Sequence, residues 1–405
     1  MNKRLELLQP YPFERLGALL DQVEPPAGSK HIPLSLGEPK HATPDFLVER
    51  YRDEKTVRHG LGTYPPTRGI PELRQAIASF VNTRFSLKST PIDPETQVLP
   101  VNGTREALFA VAQALVDPTA ETTTLMPNPF YQIYEGAALL AGSTPVYLPC
   151  KAGNDFNPDF SGVTAEEWTR CSMVYICSPG NPTGAVMSVA DMQALIRRSD
   201  EYGFVIVSDE CYSEIYDDEA APPPGLLEAA SAMGRADFSN CLAFNSLSKR
   251  SNLPGLRSGY VCGDARLIEQ FLLYRTYHGS AMPVHHQHIS TAAWQDEAHV
   301  RVNRALYRAK FDAVLEVLDN VWPMTRPPAG FYLWPETPVD DLTFTQKLMA
   351  HQNIKVVPGT FLGRVGKTTN PGAGRVRMAL VASPDECVEA ALRLRTFITE
   401  KQYMQ

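Results

Sequence analysis

Lys249 stands in the run Asn245-Ser246-Leu247-Ser248-Lys249-Arg250, and Arg257 follows eight residues later in Gly255-Leu256-Arg257-Ser258-Gly259-Tyr260. Hydroxyl side chains precede the lysine at one and three residues' distance. An amine can bond an aldehyde covalently. Hydroxyls and a guanidinium can hold a phosphate, and the arginine fork donates two parallel charge-assisted hydrogen bonds to such a group. Together these side chains are the set that a pyridoxal phosphate cofactor requires. The plain alternative is an ordinary solvated lysine, since that is where most lysines sit.

Further polar residues cluster after apolar runs. Asn102-Gly103-Thr104-Arg105 opens a helical pattern, where glycine permits close backbone approach and free N–H groups favour an anion. A simple strand-to-helix turn would explain it equally well. Ser178-Pro179-Gly180-Asn181-Pro182-Thr183-Gly184 is dense in turn residues, yet Asn181 there could present an amide to a ligand. Asp209-Glu210-Cys211-Tyr212 follows Phe204-Val205-Ile206-Val207-Ser208. An acid closing a buried strand is costly to desolvate without a cationic partner, and a pyridinium nitrogen would be one. A helix-capping Asp is the plainer reading.

The elements that must position these residues are legible as short apolar runs between helical patterns. Candidate strands are 97–100, 123–126, 145–148, 173–176, 204–208, 241–244 and 259–262. Candidate helices include 105–115, 131–141, 189–202 and 266–277. Continuous apolar strands between helices predict an α/β region with a mainly parallel seven-stranded sheet covered on both faces. Ligands collect beyond the carboxyl ends of such strands. A smaller α+β region begins near residue 291, with a helix to Leu318, strands around 330–334 and 375–380, and a closing helix 384–401. The expected division is a large domain over 45–290 and a small domain formed by 1–44 with 291–405.

With 405 residues, 43% apolar and 20% charged, the chain can bury a large core. The net charge of −7 and the absence of a basic cluster argue against nucleic acid and anionic membrane as partners. Seven scattered cysteines, none spaced C-x-x-C, read as reduced thiols. With no apolar leader after Met1, they predict a cytoplasmic protein. His285, His286 and His288 lack a matching carboxylate or cysteine pattern, so no metal site is expected, and a polar loop is the reading. Gly366-Lys367-Thr368 resembles the end of a phosphate loop, but Phe361 stands where its first glycine would be.

Read in order, the motifs resemble those of the class I/II, fold-type I, pyridoxal phosphate-dependent aminotransferases over nearly the whole chain. They are Leu36-Gly37-Glu38-Pro39, Tyr64 in Gly62-Thr63-Tyr64-Pro65, Asn102-Gly103-Thr104, Pro129-Phe130-Tyr131, Asn181-Pro182-Thr183-Gly184, Asp209-Glu210-Cys211-Tyr212, Ser246-Leu247-Ser248-Lys249, Arg257 and Arg377. The resemblance implies that Lys249 holds the cofactor and shuttles a proton. It implies that Asp209 partners the pyridine nitrogen, that Tyr212 and Asn181 donate to the phenolic oxygen, and that Tyr131 stacks on the ring. Gly103, Thr104, Ser246, Ser248 and Arg257 would cradle the phosphate, reached by Tyr64 of a neighbouring subunit in a homodimer with shared sites. Arg377, with Asn181 and the Gly37 backbone, would take the α-carboxylate of amino-acid and 2-oxo-acid substrates.

Within that family, residues 8–14, 128–138 and 375–381 resemble the proteobacterial N-succinyldiaminopimelate aminotransferases. That implies transfer from glutamate in lysine biosynthesis, and extra donors for a distal carboxylate. Arg275, His278 and Ser280 are the expected donors. Other class I aminotransferases (for alanine, aspartate or aromatic amino acids) are the alternatives, with a lyase of the same fold, which would release ammonia or a thiol instead of exchanging amines.

Overall fold

The computed structural model describes every residue except Thr368, so the last residue of the Gly366-Lys367-Thr368 phrase lies outside the described residues. The seven expected strands are all present: β1 Val98–Val101, β2 Thr123–Asn128, β3 Thr144–Pro149, β4 Cys171–Cys177, β5 Val205–Asp209, β6 Cys241–Ser246 and β7 Gly259–Gly263. They form one sheet in the order β1-β7-β6-β5-β4-β2-β3. β7 is antiparallel to both β1 and β6, and the remaining pairings are parallel.

The strands read as unbroken apolar runs because both faces are covered. Along β4 and β5, Val174, Ile176 and Ile206 enter one core, whereas Met173, Tyr175, Val205 and Val207 enter the other. Alternate side chains of a strand point to opposite faces, and here neither face meets water. Helix Val189–Tyr202 begins where the Ser188 hydroxyl accepts from the Asp191 amide, and ends at Gly203 in the left-handed region. Sequence alone marks that helix because both caps are local.

A third core joins Ile32 and Leu34 to Phe311, Leu333, Ile354, Met378 and Leu394. Ile32–Pro33 pairs in parallel with Ile354–Lys355, and Val376–Ala379 lies between Val357–Pro358 and Tyr332–Leu333. The strand expected over 330–334 narrows to Tyr332–Leu333. The three histidines are not in a polar loop: they lie on helix Val284–Gln295, which buries Val284, Gln287, Ile289, Ala293 and Trp294. The histidines interrupt the apolar periodicity that marks a helix in sequence. All seven cysteines are unbridged, six of them buried. Among the described residues, no helix is long and apolar enough to cross a membrane.

Candidate active site

Cys177, Asp209 and Ser246 are the last residues of β4, β5 and β6, and all three line one cavity of about 610 Å³. That size suits a small-molecule site.

One end of the cavity is built for an anion. Ser246 caps the turn Leu247–Arg250: its hydroxyl accepts from the Ser248 amide at 3.1 Å and lies 2.9 Å from the Ser248 hydroxyl. Gly103 precedes helix Thr104–Leu115 with φ +78°, and a Cβ there would come within 2.3 Å of Arg257 Nη2. Two independent demands, conformation and clearance, therefore select glycine. Arg257 has φ +54°, a conformation that costs a non-glycine residue about 1–2 kcal/mol. Its Nη1 donates to the Pro254 carbonyl at 2.8 Å, and among the described residues it makes no ion pair. The helix N-terminus, two hydroxyls and an acid-free guanidinium beside a glycine fit a phosphate.

Next comes the acid. Asp209 is 4% exposed; its carboxylate accepts from Tyr134 Oη at 2.6 Å and from the Cys211 amide at 3.2 Å. Burial pushes its pKa up, which those donors and the Lys249 charge oppose. A cation placed against it would restore the carboxylate, and the pyridinium nitrogen of pyridoxal phosphate is such a cation. Tyr131 lines the same wall, edge-on to Tyr134 with ring centres 5.8 Å apart. The residues present therefore fit the cofactor that the motifs imply.

Lys249 Nζ donates to the Gly37 carbonyl at 2.5 Å. Burial, aided by the charges of Arg377 and Arg257, lowers its pKa to about 8. On the order of one such amine in ten is then neutral at pH 7, and only the neutral amine is a nucleophile. Tyr212 is buried with its hydroxyl 3.0 Å from that of Tyr332. Arg377 is 5% exposed; Nη1 donates to Asn181 Oδ1 at 3.0 Å and Nη2 to the Ser35 carbonyl at 2.8 Å. Its guanidinium lies 4.6 Å from the centre of the Tyr332 ring, and Nε is buried without a partner. No acid among the described residues pairs with it. Asn181 Oδ1 is occupied by Arg377, so its Nδ2 is the donor left for a ligand.

Gly37, Thr104, Tyr131, Asn181, Asp209, Tyr212, Ser246, Ser248, Lys249, Arg257 and Arg377 all line this cavity, while Gly103 backs Arg257. Tyr64 does not; its side chain is 99% exposed. Two contributors escaped the sequence reading. Tyr134, in the first turn of helix Ile133–Ala141, holds Asp209. Tyr332, within an apolar strand, packs where a Cβ on Gly37 would meet its hydroxyl at 1.9 Å.

Arg275 is a correction. It is fully buried, with Nη1 donating to both Glu106 carboxylate oxygens at 2.7 and 2.8 Å and Nη2 to the Ser280 carbonyl at 3.0 Å. The Ser280 hydroxyl accepts from Asn102 Nδ2 at 3.1 Å, and the His278 ring packs on Tyr274. Both Nη groups of Arg275 are thus committed within this chain, to Glu106 and Ser280, so Arg275 is a structural residue; His278 is exposed, and none of the three lines the cavity.

The family model described as aminotransferase class I and II matches residues 29–394. A curated relative, the LL-diaminopimelate aminotransferase of Desulforudis audaxviator (strain MP104C), is 32% identical over 397 residues, covering 97% of this chain and 96% of its own length. The crystal structure of an aminotransferase from Neisseria meningitidis Z2491 superposes with a TM-score of 0.93 at 46% identity, covering 98% of this chain and 100% of that one. The aminotransferase AspB of Helicobacter pylori 26695 gives 0.88 at 33% identity, covering 97% and 99%.

Proposed function

Since the chain belongs to the class I and II aminotransferases, which depend on pyridoxal phosphate, we propose that it exchanges an amino group between a diaminopimelate-type amino acid and 2-oxoglutarate, with N-succinyl-L,L-2,6-diaminopimelate as the preferred form. The observation that carries amino-acid transfer is Arg377: a buried guanidinium without an acid, in the same cavity as an amine of lowered pKa. A substrate carboxylate is the partner that relieves it. The diaminopimelate class rests on the full-length likeness to a diaminopimelate aminotransferase, and the succinylated form on the sequence resemblance over 8–14, 128–138 and 375–381. Unmodified LL-diaminopimelate is the second reading, favoured by the relative's name.

The bound cofactor supplies an electron sink that loosens the bond from the α-carbon to its proton. Lys249 holds the cofactor and moves that proton. Asp209, oriented by Tyr134, keeps the ring nitrogen charged. Tyr212 and Asn181 would supply donors for the cofactor's phenolic oxygen, and Tyr131 would lie against its ring. Gly103, Thr104, Ser246, Ser248 and Arg257 hold the phosphate. Arg377 orients the amino acid so that its α C–H faces Lys249. Tyr64, fully exposed in one protomer, reaches the phosphate of the partner in a homodimer. The large domain at 45–290, the small domain at 1–44 with 291–405, and a cytoplasmic location belong to the same proposal.

The test is a half-reaction screen, adding single amino acids to the cofactor-loaded enzyme and following its absorbance. The succinylated compound should react with a kcat/KM at least on the order of a hundredfold above alanine or aspartate. An equal preference for alanine, aspartate or an aromatic amino acid refutes the substrate. Release of ammonia without amine exchange marks a lyase and refutes the reaction.

A further inference from the structure

The cavity holds four cations, Lys249, Arg257, Arg377 and Arg105, and two acids, Asp209 and Glu38. The proposed function uses three of the cations and Asp209. Glu38 lies near Lys249. Arg105 is left over.

Its polar neighbours are phenols. Arg105 is the second residue of helix Thr104–Leu115, and its side chain is solvent-exposed at the cavity wall. Nη2 donates to the Tyr11 hydroxyl at 3.0 Å, and the guanidinium carbon lies 5.6 Å from the centre of that ring. The Tyr131 phenol is its other polar neighbour. Among the described residues Arg105 makes no ion pair. Arg275, whose partner Glu106 is the next residue after Arg105, is by contrast buried and paired with an acid. Tyr11 leads helix Pro12–Leu20, and Tyr11, Pro12 and Phe13 all line the cavity. A guanidinium held by neutral phenols keeps its charge and can exchange a weak partner for a carboxylate.

We propose that Arg105, steadied by Tyr11, is the specificity residue for the second carboxylate of the substrate, beginning with 2-oxoglutarate and glutamate. The inference rests on the aminotransferase reading and deepens it. One carboxylate binds Arg377 and the other binds Arg105, so five-carbon dicarboxylates are held at both ends. A long diaminopimelate-type substrate would lay its own distal acid on the same guanidinium, the role that Arg275 cannot fill.

The experiment titrates the cofactor-loaded enzyme calorimetrically with glutarate, which carries two carboxylates and no amine, and with butyrate, which carries one. Losing a charge-assisted contact should weaken glutarate binding by ~10- to 100-fold in Arg105→Gln, with Arg105→Lys between the two because it keeps charge without the fork. Butyrate affinity should change less than threefold. The same split should appear as a raised KM for 2-oxoglutarate. Undiminished glutarate binding in Arg105→Gln overturns the proposal. So does a matching loss of pyridoxal phosphate affinity, which would assign Arg105 to the phosphate. A wild-type enzyme that exchanges no amines would refute the proposed function instead, and the glutarate titration would still judge Arg105.

Discussion

The two ends of the cavity are built differently. The phosphate end comes from two short stretches of the large sheet: Gly103 and Thr104 open one helix, and Ser246, Ser248 and Arg257 fall within one strand, one turn and the return to the next strand. The substrate end is gathered from afar. Lys249 reaches the Gly37 carbonyl across 212 positions, and Arg377 reaches Asn181 across 196 and Ser35 across 342. The cofactor end therefore belongs to the rigid sheet. The substrate end depends on how the terminal segments sit against it. Cofactor binding should survive damage that substrate binding does not.

The largest effect should come from Lys249→Ala, which removes the residue that serves both ends. Turnover should fall by at least on the order of 10⁴-fold. Borohydride reduction of the wild-type enzyme and peptide mapping should place the pyridoxyl group on Lys249, and a label on another lysine would break the assignment. Because the folded-state pKa is depressed to about 8 from the ordinary lysine value, covalent capture of added cofactor should speed up as pH rises through 8 and level off above it.

Asp209→Asn tests the rigid end. It leaves an amide where a carboxylate should face the ring nitrogen, and kcat should fall on the order of a hundred- to a thousandfold, the scale of losing one preorganised electrostatic partner. An Asn variant with wild-type kcat would detach Asp209 from the ring.

At the substrate end, Arg377→Lys keeps the charge but loses the fork. KM for amino acids should rise roughly 10- to 100-fold while cofactor affinity holds. Parallel losses of cofactor and substrate would mean that the two ends are not separable.

Mixing Tyr64→Phe with Lys249→Ala subunits probes whether the rigid end is complete within one chain. Each hybrid dimer would keep one site with both native residues, so activity should exceed the sum of the parents. No recovery, in mixtures proven to contain hybrids, would return Tyr64 to its own subunit.

The smallest effect on chemistry should come from Arg275→Ala. Leaving Glu106 without its partner should destabilise the fold by about 3 kcal/mol, read in a denaturant titration, with the preference between substrates unchanged. A changed substrate preference without a stability loss would restore Arg275 to the site.

The large sheet was legible because its strands are covered on both faces, which makes them continuous apolar runs such as Val205-Ile206-Val207. The edges of the small region were less so. Tyr332–Leu333 is shorter than its apolar run because only two residues find a pairing partner. Helix Val284–Gln295 was hidden by three histidines, of which His285 and His286 pack against Tyr51 while His288 stays exposed.

By itself the sequence determined the strands, the capped helices and the residues whose neighbours in the chain are also their neighbours in the site: Gly103 with Thr104, Ser246 with Ser248 and Lys249, Asp209 with Tyr212. Strand formation, capping and turns are local, so short patterns carry them. Only the tertiary structure decided which acid takes which base. Arg275 and Arg105 look alike in sequence, yet one is buried on Glu106, 169 positions away, and the other waits on a phenol 94 positions away. A charge has no local pattern that names its partner. Its role is fixed by what the fold brings within hydrogen-bonding distance and by how much water the fold leaves there.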